Sequence, residues 1–189
     1  MNRHSDALLR HSLELDAQWP EALPRNAPLA IDVTLRNLID GHRVPTGSSF
    51  FRQFWLSVDV TDAVGTSVYS SGQMDPRGDL HDAHHPKASN DPDLLVLGRV
   101  LRTQRGEATL LPWRAASVDD LSLPPAGSLR AIYTVALPPE TVFPLKVRVR
   151  LRFRPFPPRL LRRLGLEKEL ASLRVVDIRV VTGLVIDQR

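Results

Sequence analysis

The sequence predicts an all-β chain, an antiparallel β-sandwich of immunoglobulin-like or jelly-roll-like type with one late C-terminal helix. Three observations carry this. Period-2 alternation recurs along the chain, most cleanly in Leu145 to Phe153, where Leu145, Val147, Val149, Leu151 and Phe153 share one face and Lys146, Arg148, Arg150 and Arg152 the other. Turns rich in Pro and Gly recur about every 10–15 residues, a spacing suited to sandwiches. No helices alternate with strands, which disfavours a parallel βαβ architecture.

Taken in order, residues 1–11 are polar, with a short helical hint at Asp6 to His11, and read as a linker or N-terminal arm; residues 12–189 form the sandwich domain. Leu13 and Leu15 begin a first strand. Trp19 to Pro28 is a Pro-rich turn, and Leu29 to Arg36 alternates as a second strand. The segment 37–51 is a long connection holding Gly41, Gly47 and Pro45, with Gly41 permitting a positive φ just before His42 and Pro45 stiffening the exit. Strand three covers 52–61 and pairs with 66–70 across the turn Asp62-Ala-Val-Gly. The stretch 72–92 is irregular, and a loop of that length in a compact domain is commonly functional. A hairpin is expected from 94–102 and 107–113, a loop over 117–127, and strands over 129–137, 145–153 and 175–186, with a bulge at Gly183. Residues 159–173 have the apolar spacing of a helix, with Gly165 placed to split it. Arg159, Arg162 and Arg163 crowd its first turns, where the helix dipole disfavours cations, which suggests that something else holds them, such as a partner.

Composition narrows the class further. Of 189 residues, 42% are hydrophobic and 24% charged, as in an ordinary globular domain. The absence of Cys excludes disulfides, thiolate metal sites and a Cys nucleophile. The net charge of +4 is mild and much of it comes from 146–174, a basic patch that can meet acidic protein, anionic lipid or nucleic acid. The arginine strand has no interleaved aromatics for base stacking, so nucleic acid is not expected. No run reaches the ~20 apolar residues of a membrane helix. The N-terminus lacks an apolar run long enough for a signal peptide, leaving either a cytoplasmic chain or part of a longer precursor. There is no Gly-x-Ser-x-Gly, His-Glu-x-x-His, phosphate loop or dinucleotide fingerprint, so an enzyme is not expected.

Two stretches hold chemistry. His81, His84 and His85 lie in the long loop with Asp75, Asp79 and Asp82; imidazoles beside carboxylates suit zinc, and the three aspartates suit calcium, although common turn chemistry also places Asp, Gly and Pro together. The other is the connection around His42. Its sequence Asn-Leu-Ile-Asp-Gly-His-Arg-Val-Pro-Thr-Gly, followed by Phe-Trp-Leu-Ser-Val-Asp-Val-Thr-Asp and by Gly-Thr-Ser-Val-Tyr-Ser-Ser-Gly-Gln-Met-Asp-Pro-Arg-Gly-Asp-Leu, resembles the C-terminal β-sandwich domain of multihaem c-type cytochromes. The likeness spans roughly residues 10–155. With no Cys-x-x-Cys-His, the chain cannot attach haem c covalently.

The resemblance implies an accessory electron-transfer module, periplasmic or extracellular, with haem c carried by another segment or partner chain. His42 would be a haem contact or axial ligand, with Asp40 or a loop carbonyl fixing its tautomer, and Arg43 and Arg52 would meet propionates. Lys146, Arg148, Arg150, Arg152, Arg159, Arg162 and Arg163 would form a docking face. A stand-alone immunoglobulin-like module that engages an acidic partner through the same basic strand and helix is the alternative.

Overall fold

The computed structural model describes residues 3–188. The N-terminal arm carries helix α1 (Arg3–Ser12), whose Leu9 packs on the core. The strands are β1 (Leu13–Gln18), β2 (Ala22–Leu23), β3 (Leu29–Asn37), β4 (Gln53–Thr61), β5 (Ser67–Ser71), β6 (Val96–Leu97), β7 (Arg99–Arg102), β8 (Ala108–Thr109), β9 (Ser117–Asp120), β10 (Ser128–Val135), β11 (Leu145–Arg154) and β12 (Val176–Asp187). Helix α2 (Pro158–Arg163) lies between β11 and β12.

Among the described residues the chain is all-β apart from these short helices and three 3-10 turns. One sheet has the order β1-β3-β10, the second the order β2-β12-β11-β4-β5 with β6 also on β4, and a small appended sheet the order β8-β7-β9. Both main sheets are antiparallel except where β2 joins β12 in parallel. Alternation decides the packing. Leu29, Ile31, Val33 and Leu35 of the first sheet and Leu56, Val58, Val60, Val147, Val149 and Leu151 of the second are wholly buried in one apolar cluster. Each such side chain contributes about 1.5–3 kcal/mol on leaving water. An Asp at Val149 would put an unpaired charge there and break both ladders of β11.

Several boundaries differ from expectation. The late helix divides at Gly165 (φ 71°) into α2 and a 3-10 segment, Glu167–Ser172. Residues 117–120 form β9 on the exposed edge of the appended sheet rather than loop; all four are exposed, so no alternation marks them. Pro112–Arg114 is a 3-10 turn begun by its proline rather than strand. The bulge in β12 lies where Leu151 pairs Arg179 but Arg152 pairs Asp177, leaving Ile178 extra, and not at Gly183. Gly183 pairs regularly with Val147. Its lack of a side chain admits Trp19, whose Cζ2 would stand 2.7 Å from an added Cβ.

Strand β4 stands between the apolar core and a second, polar layer. Phe54, Leu56, Val58 and Val60 face the core, while Gln53, Trp55 and Ser57 on its opposite face are buried as well. A solvated sheet face would leave those three wet; here the long loop 72–92 and α2 cover them.

Candidate functional site

The connection after β3 is tied down by Asn37, whose side chain is 1% exposed. Its amide nitrogen donates to the carbonyls of His42 (2.8 Å), Pro124 (2.8 Å) and Leu123 (3.3 Å), and its oxygen accepts from the Ile39 N–H (2.9 Å). Val44 and Leu123 exchange two backbone hydrogen bonds, 2.9 and 2.8 Å. Gly41 does not take a positive φ; Gly47 does (68°), and so supplies the left-handed turn. The bracing expected of Gly41 thus comes from a buried amide and from a segment some eighty residues away. The X-Pro bond at Val44-Pro45 is cis.

His42 projects from this fixed backbone into solvent, and its ring makes no hydrogen bond among the described residues, to Asp40 or to a loop carbonyl. Arg43 is occupied: its Nε donates to Ser122 Oγ (2.9 Å), an Nη to the Ser122 carbonyl (3.0 Å), and Asp120 lies 3.7 Å away. Arg52 is exposed, with a single 3.3 Å bond to the Thr46 carbonyl.

The long loop lies on the outer face of β4 and β11. Trp55 is 0% exposed; its indole N–H donates to the Gly72 carbonyl (3.0 Å), and the guanidinium carbons of Arg152 and Arg154 sit 5.4 and 5.6 Å from its ring centroid, cation–π geometry. Arg154, 2% exposed, donates to Gln53 Oε1 (2.9 Å from Nε) and to the Gly78 carbonyl (2.7 Å). Burial pushes its guanidinium down to about 10, against the support of Asp79 and Asp82, and it stays cationic at neutral pH. Gln53 passes the link on, its Nε2 donating to Asp82 Oδ2 at 2.6 Å.

Because α2 ends at Arg163, Arg162 and Arg163 lie in its last turn rather than in the first turns of a longer helix, and only Arg159 is at its start; Arg159 and Arg162 find their acidic partners within this loop. Arg162 and the Arg159 backbone N–H (3.0 Å) both bind Asp79, which is 5% exposed. Arg159 Nη1 lies 3.0 Å from Asp82 Oδ1, an ion pair at an angle too poor for a hydrogen bond. Asp82 stays below the usual carboxylate range: burial pushes it up, but His84, Arg159 and the His84 backbone N–H together outweigh that. Asp75 behaves alike, with burial opposed by the Asp79 and Arg77 N–H groups and by His85.

The three loop imidazoles are held in defined tautomers by their partners. His81 Nδ1 meets the Lys87 carbonyl (2.8 Å) and so carries the proton, leaving Nε2 as the free acceptor. His84 Nδ1 faces Asp82 (3.6 Å), and its Nε2 is buried without a partner. His85 is reversed, accepting the Lys87 N–H at Nδ1 (3.0 Å) and turning Nε2 toward Asp75 (3.5 Å). Among the described residues, no three His, Asp or Glu side chains are grouped to hold a metal ion. The carboxylates that would clasp calcium are spent on Arg159, Arg162 and the histidines.

Two hollows result. A cavity of about 260 Å³ brings Arg52, Gln53, His81 and His84 together with Phe51 and Leu97. A more open one, about 410 Å³, joins Asp75, Asp79, His84 and His85 to Arg159, Arg162 and Arg163. His42 and Arg43 line neither.

The basic strand grades from wet to dry. Lys146 and Arg148 are exposed; Arg150 pairs with Asp59 (2.8 Å), Arg152 with Asp177 (2.9 Å), and Arg154 is internal. Of the seven cations expected on a docking face, Arg150, Arg152, Arg159 and Arg162 are therefore spent inside the fold. Lys146, Arg148 and Arg163 form no ion pair among the described residues. Sequence reasoning missed Asn37, Gln53 and Arg154. Arg154 alone left a trace, as one more cation at the end of the alternating strand, just before Pro155.

Architecture and site together define an all-β domain that carries a braced, solvent-facing imidazole loop on one side and a polar, loop-covered sheet face on the other. Its fold is shared with part of a multihaem cytochrome: a penta-heme cytochrome c552 from Thermochromatium tepidum superposes with a TM-score of 0.70 at 24% identity. The match covers 97% of this chain and 42% of that one. No protein-family model matches the chain, and no curated protein matches it. Among the described residues, no helix is long and apolar enough to cross a membrane.

Proposed function

We propose that this chain is a non-catalytic β-sandwich module that associates with a multihaem c-type cytochrome, touches its haem and helps dock electron-transfer partners, in the periplasm or outside the cell. The observation that carries this reading is that almost the whole chain shares its fold with less than half of a penta-heme cytochrome, while the chain itself holds no Cys to attach haem c. The haem would then be carried by another segment or partner chain.

The residues present fit contact with a haem edge better than enclosure of a whole haem. Cavities that enclose drug-sized ligands start at ~300 Å³, and the one beside Arg52 is about 260 Å³ and already walled by Phe51 and Leu97. His42 offers an unpaired imidazole on a rigid backbone, which suits an axial position or an edge contact. Arg52 has a guanidinium free enough for a propionate; Arg43 would first have to leave Ser122 and Asp120. His81 stands beside Arg52 as a further contact, its Nδ1–H on the Lys87 carbonyl leaving Nε2 as acceptor, whereas the buried Nε2 of His84 is out of reach of an outside group. The haem, when bound, supplies the electron-carrying iron; the chain's residues orient it and exclude water.

Haem titration followed by Soret absorbance tests this. The wild-type chain is expected to shift the band and His42→Ala to lose the shift; identical spectra would remove His42 as a ligand. Affinity purification from the cell envelope tests the association itself, with a co-purifying haem-staining polypeptide expected.

A further inference from the structure

We infer that the outer face of the β11–β12 pair is a docking surface for an acidic protein segment with an apolar centre. The inference rests on the reading of the chain as a partner-bound module. After the bulge at Ile178, alternation turns Val180, Thr182, Leu184 and Ile186 outward, and the three aliphatic ones are 48%, 56% and 56% exposed. The opposite face of the same strand is needed for the core, and β11 pairs β12 along Val176–Val185 while β2 joins it only at Ile186 and Asp187, so the outward residues are held in a regular ladder on the β11 side. Directly across the ladder, Lys146 stands opposite Leu184 and Arg148 opposite Thr182. Cross-strand partners lie ~4.5–5.5 Å apart at Cβ, so the two cations form one border of the apolar stripe.

Those cations are unspent. Arg148 also lies opposite Asp59 on β4, but that carboxylate is taken by Arg150 (2.8 Å) and Gln73 (2.5 Å). The stripe is flanked by satisfied ion pairs, Arg152–Asp177 at one end and Arg25–Asp187 just beyond Ile186 at the other, the latter on the opposite side of the strand. What remains between them is aliphatic surface with positive charge along one side. A second copy of this face brings no unspent carboxylate to Lys146 and Arg148, because Asp59, Asp177 and Asp187 are already paired within each chain. A membrane surface is disfavoured because the face carries no Trp, Tyr or Phe to anchor at headgroup depth. A protein segment presenting carboxylates beside aliphatic side chains satisfies both halves of the surface.

The test uses the whole chain and a short peptide alternating glutamate and leucine, with a lysine–leucine peptide and phosphatidylserine vesicles as the other probes. Amide resonances of 146–148 and 180–186 are expected to move with the acidic peptide alone. Affinity should fall roughly tenfold or more in Lys146→Glu/Arg148→Glu and in Leu184→Ser/Ile186→Ser, and hold in Arg163→Glu, each variant checked for its β circular dichroism. Equal binding of the two peptides, binding to vesicles instead, or indifference to either double variant overturns the inference. If a haem-staining polypeptide co-purifies equally with wild type and with the charge-reversed variant, the docking surface is wrong and the module reading stands. If none co-purifies even with wild type, the module reading falls, and the peptide result decides this face by itself.

Discussion

Asp79→Ala tests whether the loop over β4 is held by its ions. Asp79 is 5% exposed and takes both the Arg162 guanidinium and the Arg159 backbone N–H. Breaking a fully buried pair costs ~3–5 kcal/mol because the surviving charge is stranded. Here the arginine side chains keep 15% and 18% of their exposure, and both have fallbacks: Asp82 and the Leu80 carbonyl for Arg159, the Arg77 carbonyl for Arg162. The penalty is accordingly scaled down to ~2–3 kcal/mol. With a urea m-value of ~2 kcal/mol/M, the unfolding midpoint should fall by ~1–1.5 M. Glu14→Ala is the control, since its pair with Arg36 is about half exposed on both sides and is worth under ~1 kcal/mol. Hydrogen exchange should then quicken in 72–92 and 157–163 before the rest of the sheet. Equal midpoints for the two variants, with unchanged exchange in the loop, would refute the account of how this face is covered.

Three further outcomes follow from the same geometry. Asp75 and Asp82 titrate below their unfolded values, so the unfolded chain binds protons first on acidification; their stabilisation is complete above the ordinary carboxylate range of ~4 and is lost as pH falls through the lower folded values, readable as a falling thermal midpoint that Asp82→Asn should flatten. Trp55→Phe removes the indole bond to Gly72 and weakens two cation–π contacts, and should cost ~1–2 kcal/mol in a urea titration followed by circular dichroism. Gly72→Ala should be worse, at ~3 kcal/mol or more or with loss of soluble protein, because the new Cβ would stand 2.1 Å from the Leu56 carbonyl oxygen at a φ of 73°.

Strands β3, β10 and β11 were legible because each has one face more buried than the other and announces itself by alternation, and their ends fall within a residue or two of expectation. Strand β9 was not, since Ser117 to Asp120 buries nothing and owes its shape to pairing with β7. The site was legible in residue type but not in arrangement. Sequence marks Arg159 and Arg162 as cations needing a partner, yet nothing local says that the partner is Asp79, about eighty positions earlier. The same distance hides Asn37 from Pro124 and Gln53 from Arg154. Periodicity reports which way a side chain points relative to its own strand; it carries no information about what another part of the chain lays over it.

The amide clamp at Asn37 makes the aim of His42 a joint property of three separated stretches: the end of β3, the imidazole loop, and residues 123–124 leading into β10. Grafting 37–55 into another two-sheet scaffold would therefore transplant the letters without the pose. Conversely, an insertion between β9 and β10 that touches nothing near the ring would still re-aim it. Anyone re-engineering this domain should treat Leu123 and Pro124 as part of the histidine's address.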